Sequence, residues 1–241
     1  MPNHPSPAAA EPLPFVKRIV GVVVGPGDTM ASVAAHPRWL DVLAFTTVVV
    51  ALGFVWFLST EIGKTAYVDQ AVASMEAFGR TVNEDMYAVV QRQAEYARWI
   101  QGASILFFSP LVTAAVAGIL FGVFAVLGGE ARYPQVLAVV SHASVISLLQ
   151  TVFTLPLNYQ RQTMSSATNL SVFFPNLADG SFLASLLGVI DLFWIWYLVV
   201  LAIGLAAVYR RKWTSIAVSL FTVYGLIGLG IAAIKVFLGG R

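Results

Sequence analysis

The sequence predicts an all-α, polytopic membrane protein with five transmembrane helices, and three observations carry that prediction. Only 11% of the 241 residues are Asp, Glu, Lys or Arg, less than half of what an ordinary soluble domain carries. Hydrophobic residues make up 58% and the mean hydropathy is +0.79. The few charges are clustered, which leaves five stretches long enough to cross a hydrocarbon core of about 30 Å at about 1.5 Å per residue.

The composition also removes several classes of chemistry. With no cysteine in the chain, disulfides, thiolate metal sites, iron–sulfur clusters and cysteine nucleophiles are excluded. A net charge of +2, with the bases scattered, is no surface for nucleic acid, which needs a clustered basic stripe. The expected partner is the lipid bilayer.

Residues 1–14, with five prolines, read as a disordered tail. Leu13 to Val24 places Phe15, Ile19 and Val22 on one helical face and Lys17 and Arg18 on another, which predicts an N-terminal helix at the lipid interface. Its six apolar residues Ile19 to Val24, stopped by Gly25-Pro26-Gly27-Asp28, are too short for the core of a cleavable signal. Asp28 is then expected to cap a short helix over Met30 to Ala35, ended by His36-Pro37, with Trp39 anchoring the first span.

The spans are expected at about 41–60, 100–128, 135–156, 182–208 and 213–238, within one five-helix membrane domain covering 15–241. Val42 to Thr60 and Trp99 to Gly129 carry no Asp, Glu, Lys or Arg, Tyr133 to Gln160 is interrupted only by His142, and Ser181 to Tyr209 only by Asp191. Between spans one and two, residues 61–98 repeat Val68, Val72, Met75, Val82, Met86 and Val89 at helical intervals. Gly79 interrupts the period and Thr81-Val82-Asn83-Glu84 has capping-box spacing. The segment therefore reads as an amphipathic helical hairpin whose second helix runs on into span two. Asn158 to Gly180, rich in Asn, Ser and Thr, reads as an irregular loop with Phe173-Phe174-Pro175 near the interface.

Five spans put the termini on opposite sides. Lys17, Arg18, Arg38, Arg132, Arg210, Arg211 and Lys212 fall on the side of the N-terminus, whereas the hairpin's acids Glu61, Asp69, Glu76, Glu84, Asp85 and Glu95 outnumber its four bases. Arg161, Lys235 and Arg241 fall on the far side. The short-loop bias favours a cytoplasmic N-terminus and an extracytoplasmic hairpin.

Candidate chemistry is sparse. Gly25-Pro26-Gly27-Asp28 has the letters of the intramembrane aspartyl-protease motif, but that reaction needs two facing carboxylates inside the bilayer and Asp28 precedes the first span. No zinc, nucleophile-elbow, P-loop or dinucleotide motif occurs, so no catalytic, cofactor-binding or metal-binding residue is expected. Asp191 is the one acid deep in a span, where a carboxylate costs at least about 2.5 kcal/mol. In a continuous span four it would lie ~15 Å below the far face, with Gln150 ~8 Å deep and within reach. Lys235 could lean toward it from span five, while His142 falls in the opposite half. A structural hydrogen-bonding role for Asp191 is favoured over proton or ion transfer, and an interhelical contact is favoured for His142. Ala114, Gly118 and Gly122 repeat every four residues on span two, a groove for close helix packing within the chain or against another.

The run Ala184-Ser185-Leu186-Leu187-Gly188-Val189-Ile190-Asp191-Leu192-Phe193-Trp194-Ile195-Trp196, then Leu201-Ala202-Ile203-Gly204-Leu205 and the Arg210-Arg211-Lys212 turn, resembles the bacterial branch of the Yip family, the Ypt/Rab-interacting-protein domain. The likeness runs from about Phe15 to Lys235, and its most specific part is Asp-Leu-Phe-x-x-Trp, ending at Trp196. It implies a five-helix membrane domain with a cytoplasmic N-terminus, and Asp191 and Trp196 as signature residues without assigned chemistry. Eukaryotic members carry Asp-Leu-Tyr-Gly-Pro, of which Gly25-Pro26 keeps two letters, so binding to a Rab GTPase does not carry over. The expected function is a non-enzymatic scaffold or accessory subunit of a larger complex in the bacterial inner membrane, such as an exporter, with other membrane subunits or a second copy as partners. The alternative is a small transporter or channel with a polar path around Asp191.

Overall fold

The structure is a computed structural model that describes residues 11–177 and 181–239. Most of the expected disordered tail lies outside the described residues, and residues 11–14 carry no secondary structure. Ten α-helices follow: α1 (Phe15–Val24), α2 (Pro26–Ala35), α3 (Leu40–Leu58), α4 (Glu61–Ala77), α5 (Glu84–Val126), α6 (Tyr133–Ala143), α7 (Val145–Arg161), α8 (Phe182–Val189), α9 (Leu192–Tyr209) and α10 (Trp213–Gly239). No strand is formed among the described residues.

Five segments, one of them α6 and α7 together, are long and apolar enough to cross a membrane: Leu40–Leu58, Glu84–Val126, Tyr133–Arg161, Leu192–Tyr209 and Trp213–Phe237. The all-α, five-span reading therefore holds. The 43 residues of α5 correspond to roughly 65 Å, about twice the hydrocarbon thickness, so its first turns stand outside the lipid. They form the second arm of the hairpin, with α4 as the first and Gly79 (φ 75) turning the chain between them. A left-handed φ is open to glycine at little cost.

Local signals explain most element ends, and four expectations need correction. Asp28 does not cap α2, because Pro26 at the first helical position starts the helix two residues earlier and leaves Asp28 in its first turn. Asn83 rather than Thr81 caps α5, its Oδ1 accepting the Met86 N–H at 2.9 Å. Helix α7 continues to Arg161, so the irregular loop starts at Gln162 (φ 54) rather than Asn158. Span four is not one helix over 182–208: α8 and α9 are separated by Ile190 and Asp191, and the segment long and apolar enough to cross is α9 alone, so Asp191 stands at the start of the span rather than deep within it.

The chain divides into two compact units, Met1–Val49, Leu106–Leu149, Trp194–Thr222 and Val50–Ile105, Gln150–Phe193, Val223–Arg241. In the first, α2 packs on α6, and α1 packs on both. A Cβ at Gly204 would stand 2.4 Å from Val139 Cγ1, so α9 and α6 meet at a position only glycine fits. Tyr209 stacks on Phe124 with centroids 4.2 Å apart. In the second unit, Phe57, Leu58, Ala66, Ala97 and Leu155 form one cluster, and Val68, Val90 and Ala94 hold the hairpin together.

Candidate functional site: a carboxylate in a broken span

Helix α8 starts at Ser181, whose hydroxyl accepts the Ala184 N–H at 3.2 Å, and stops where Ile190 turns extended (φ −79, ψ 103). Asp191 then caps α9, its Oδ1 accepting the Phe193 N–H at 2.8 Å. Aspartate is among the best N-caps, and its charge suits the positive end of the helix dipole.

The break frees backbone groups from helical bonding, and those that are buried need other partners. The polar loop after α7 supplies two. Leu170 N–H donates to Ile190 O at 2.8 Å and Leu192 N–H donates to Thr168 O at 3.2 Å, so Asn169 and Asp191 pair as an antiparallel bridge. Tyr224 of α10 donates its hydroxyl to Val189 O.

Asp191 is 5% exposed. Its Oδ1 also accepts Gln150 Nε2 at 3.2 Å, and its Oδ2 accepts Ser166 Oγ at 2.8 Å and Thr168 Oγ1 at 2.6 Å. An amide, two hydroxyls and a backbone N–H thus converge on one carboxylate.

A second polar cluster lies in the other unit. Arg18 pairs with Asp41 Oδ2, and its Nη1 donates to Arg38 O at 2.9 Å and to Asp41 Oδ1 at 3.3 Å. The same Nη1 is 3.1 Å from His142 Nε2. His142 Nδ1 lies 2.7 Å from Ala138 O. A tautomer with the proton on Nδ1 satisfies both contacts, donating to Ala138 O and accepting from Arg18; it follows from the network. Arg18 is 3% exposed and His142 0%. This corrects the expected helix faces. Arg18 points into the protein beside Val22, and Val16, Val20 and Val24 point outward.

Of the other sequence-predicted residues, Lys235 is half-buried and forms no ion pair among the described residues, where the pairs are Arg18–Asp41 and Lys64 with Glu61 and Glu95. Trp196 is half-buried in α9. Trp194 meets Tyr197 edge to face at 5.4 Å. Ala114 O accepts the Tyr133 hydroxyl at 2.9 Å, while a Cβ added at Gly118 or Gly122 meets nothing within 4 Å. Within the stripe, α6 reaches Ala114, and the two glycines stay open among the described residues.

Ser166 and Thr168 were not anticipated as partners of Asp191, nor Arg18 and Asp41 as a buried pair. The legible signal for the first is the hydroxyl-rich run Ser165-Ser166-Ala167-Thr168 just before a span with a lone acid. A shallow cleft of about 580 Å³ lies along the hairpin, lined by Glu61, Lys64, Tyr87, Arg92 and Glu95 among others. Lys64 bridges Glu61 and Glu95 at 3.0 Å each, and these carboxylates, Glu61 foremost, push its ammonium pKa above the ordinary value.

Five long apolar segments define an integral, multi-pass membrane protein. Within that class the family model described as the Yip1 domain matches residues 20–234. The chain belongs to the Yip family. No curated protein and no solved structure matches it.

Proposed function

We propose that the chain is a non-enzymatic integral membrane scaffold or accessory subunit, with a cytoplasmic N-terminus in the bacterial inner membrane, assisting a larger complex such as an exporter. The observation that carries this reading is the open stripe on α5. A Cβ at Gly118 or Gly122 meets nothing within 4 Å among the described residues, and small residues at that spacing let membrane helices approach closely. The stripe is flanked by exposed Ile119 and Val123, so a helix from another subunit or a second copy can complete it. The Asp191 network supports the same reading, because its polar groups serve to close the broken span. Affinity isolation from native membranes in mild detergent, followed by mass spectrometry, tests the proposal. A stoichiometric partner, or a dimer lost in Gly118→Leu, is the expected result; a lone monomer overturns it.

A second reading, a small transporter or channel, is favoured by one observation. Ion and substrate sites of many transporters lie at helix ends and interruptions, and a buried acid stands where α8 gives way to α9. It requires that Asp191→Asn abolish a flux in liposomes. An unchanged flux sinks it.

A further inference from the structure

We propose that α1 is a sixth membrane-embedded element, a wedge seated in one leaflet only, whose Val16, Val20 and Val24 face binds lipid acyl chains. The depth of α1 follows from its contacts. Phe15 packs edge to face on Phe45 with centroids 5.4 Å apart. Helix α3 has 19 residues, about 28 Å, which barely equals the hydrocarbon thickness and leaves almost none of the helix outside it. Phe45 is the sixth residue of that helix, so it lies about 7 Å inside the acyl layer, and Phe15 lies beside it.

The rotation of α1 is fixed as well. Arg18 is drawn inward by Asp41, Arg38 O and His142, and a Cβ at Gly21 would fall 2.2 Å from Thr29 Oγ1, so α2 closes that side. What remains outward is Val16 at 68% exposure, Val20 at 50% and Val24 at 77%, spaced four apart and therefore stacked on one face. On α3, Leu40 and Phe45 are exposed as well. Lys17, exposed at the edge of the same face, has the stem length to reach headgroups from that depth. At ten residues, about 15 Å, α1 cannot span the bilayer, so its volume is added to the leaflet on the N-terminal side alone.

The absence of native cysteine makes the test direct. Single cysteines replacing Val16, Val20 or Val24 in the full chain are labelled with a fluorophore and reconstituted into phosphatidylcholine vesicles whose acyl chains are brominated either near the ester end or near the methyl end. Probes at Leu52, exposed on α3, and Asp69, exposed on the hairpin, are the acyl and water references. The expected result is quenching at all three positions as strong as at Leu52, greater with bromine near the ester end. Quenching as weak as at Asp69 overturns the proposal, whether the probes report water or a protein cover. Equal quenching by both lipids also overturns it, because the helix would then not be confined to one leaflet's outer half.

Discussion

Thr168 donates its hydroxyl to Asp191 Oδ2 at 2.6 Å across 23 residues of chain. This contact draws the loop after α7 into the interruption of span four. It joins two features that look unrelated in the sequence, a polar loop and an acid in an apolar run.

Replacing Asp191 by Asn keeps the shape but removes the charge that the four donors share. Hydrogen bonds to a charged group are worth about 1.5–3 kcal/mol each, and an amide can still satisfy part of the set. Asp191→Asn is expected to lower unfolding stability in detergent by about 2–3 kcal/mol. Thr168→Val should cost less, and the two should be strongly non-additive in a double-mutant cycle. Independent effects would refute the shared network.

Glycines on the two sides of the packing question should behave oppositely. A Cβ at Gly63 would lie 2.0 Å from Phe57 O, a backbone atom that cannot swing away, so Gly63→Ala is expected to cost at least about 1–3 kcal/mol. Gly118→Ala and Gly122→Ala meet open space and should leave monomer stability within about 0.5 kcal/mol. Thermal unfolding followed by circular dichroism separates the two groups.

The side chain of Asp41 is 43% exposed while that of Arg18 is 4%, so removing the base leaves an acid that can reach water. Arg18→Gln is therefore expected to cost about 1–3 kcal/mol, less than breaking a fully buried pair. Arg18→Lys should rescue little, because a single ammonium nitrogen cannot reproduce the two-nitrogen fork that engages both Asp41 oxygens while Nη1 also meets Arg38 O and His142. Equal stability of the Lys variant and the native chain would contradict this geometry.

Lys64 gives a pH prediction. Its folded pKa is raised by Glu61 and then Glu95 from the ordinary value of 10.5. The stability this adds is fully present below 10.5 and is lost as pH rises through the higher folded value. Near pH 10.5, Lys64 should acylate more slowly than the exposed Lys212, and Glu61→Gln should accelerate it. High salt should reduce the difference.

The five spans, the hairpin and its turn at Gly79 were legible because length, charge and helical period are local properties of the chain. The meeting of Gln150 with Asp191 was reached through depth along two helices, although a continuous span four was assumed. The interruption itself was not legible. Phe182 to Tyr209 is apolar on both sides of Asp191, and what stops the helix is a pairing with Asn169 that no local pattern announces. Arg18 was assigned outward because a charge near a membrane usually faces water, and Asp41 and His142, far along the chain, reversed that.

The interruption of span four also bears on the order of assembly. In an unbroken helix the carbonyls of Val189 and Ile190 would be bonded within the helix as soon as it formed. Here Ile190 O waits on Leu170, already synthesised, whereas Val189 O waits on Tyr224, which leaves the ribosome 35 residues later. During synthesis, the end of α8 should therefore stay incompletely bonded until α10 arrives. A chain truncated before Tyr224 is expected to leave the junction of α8 and α9 more open to hydrogen exchange than in the full chain.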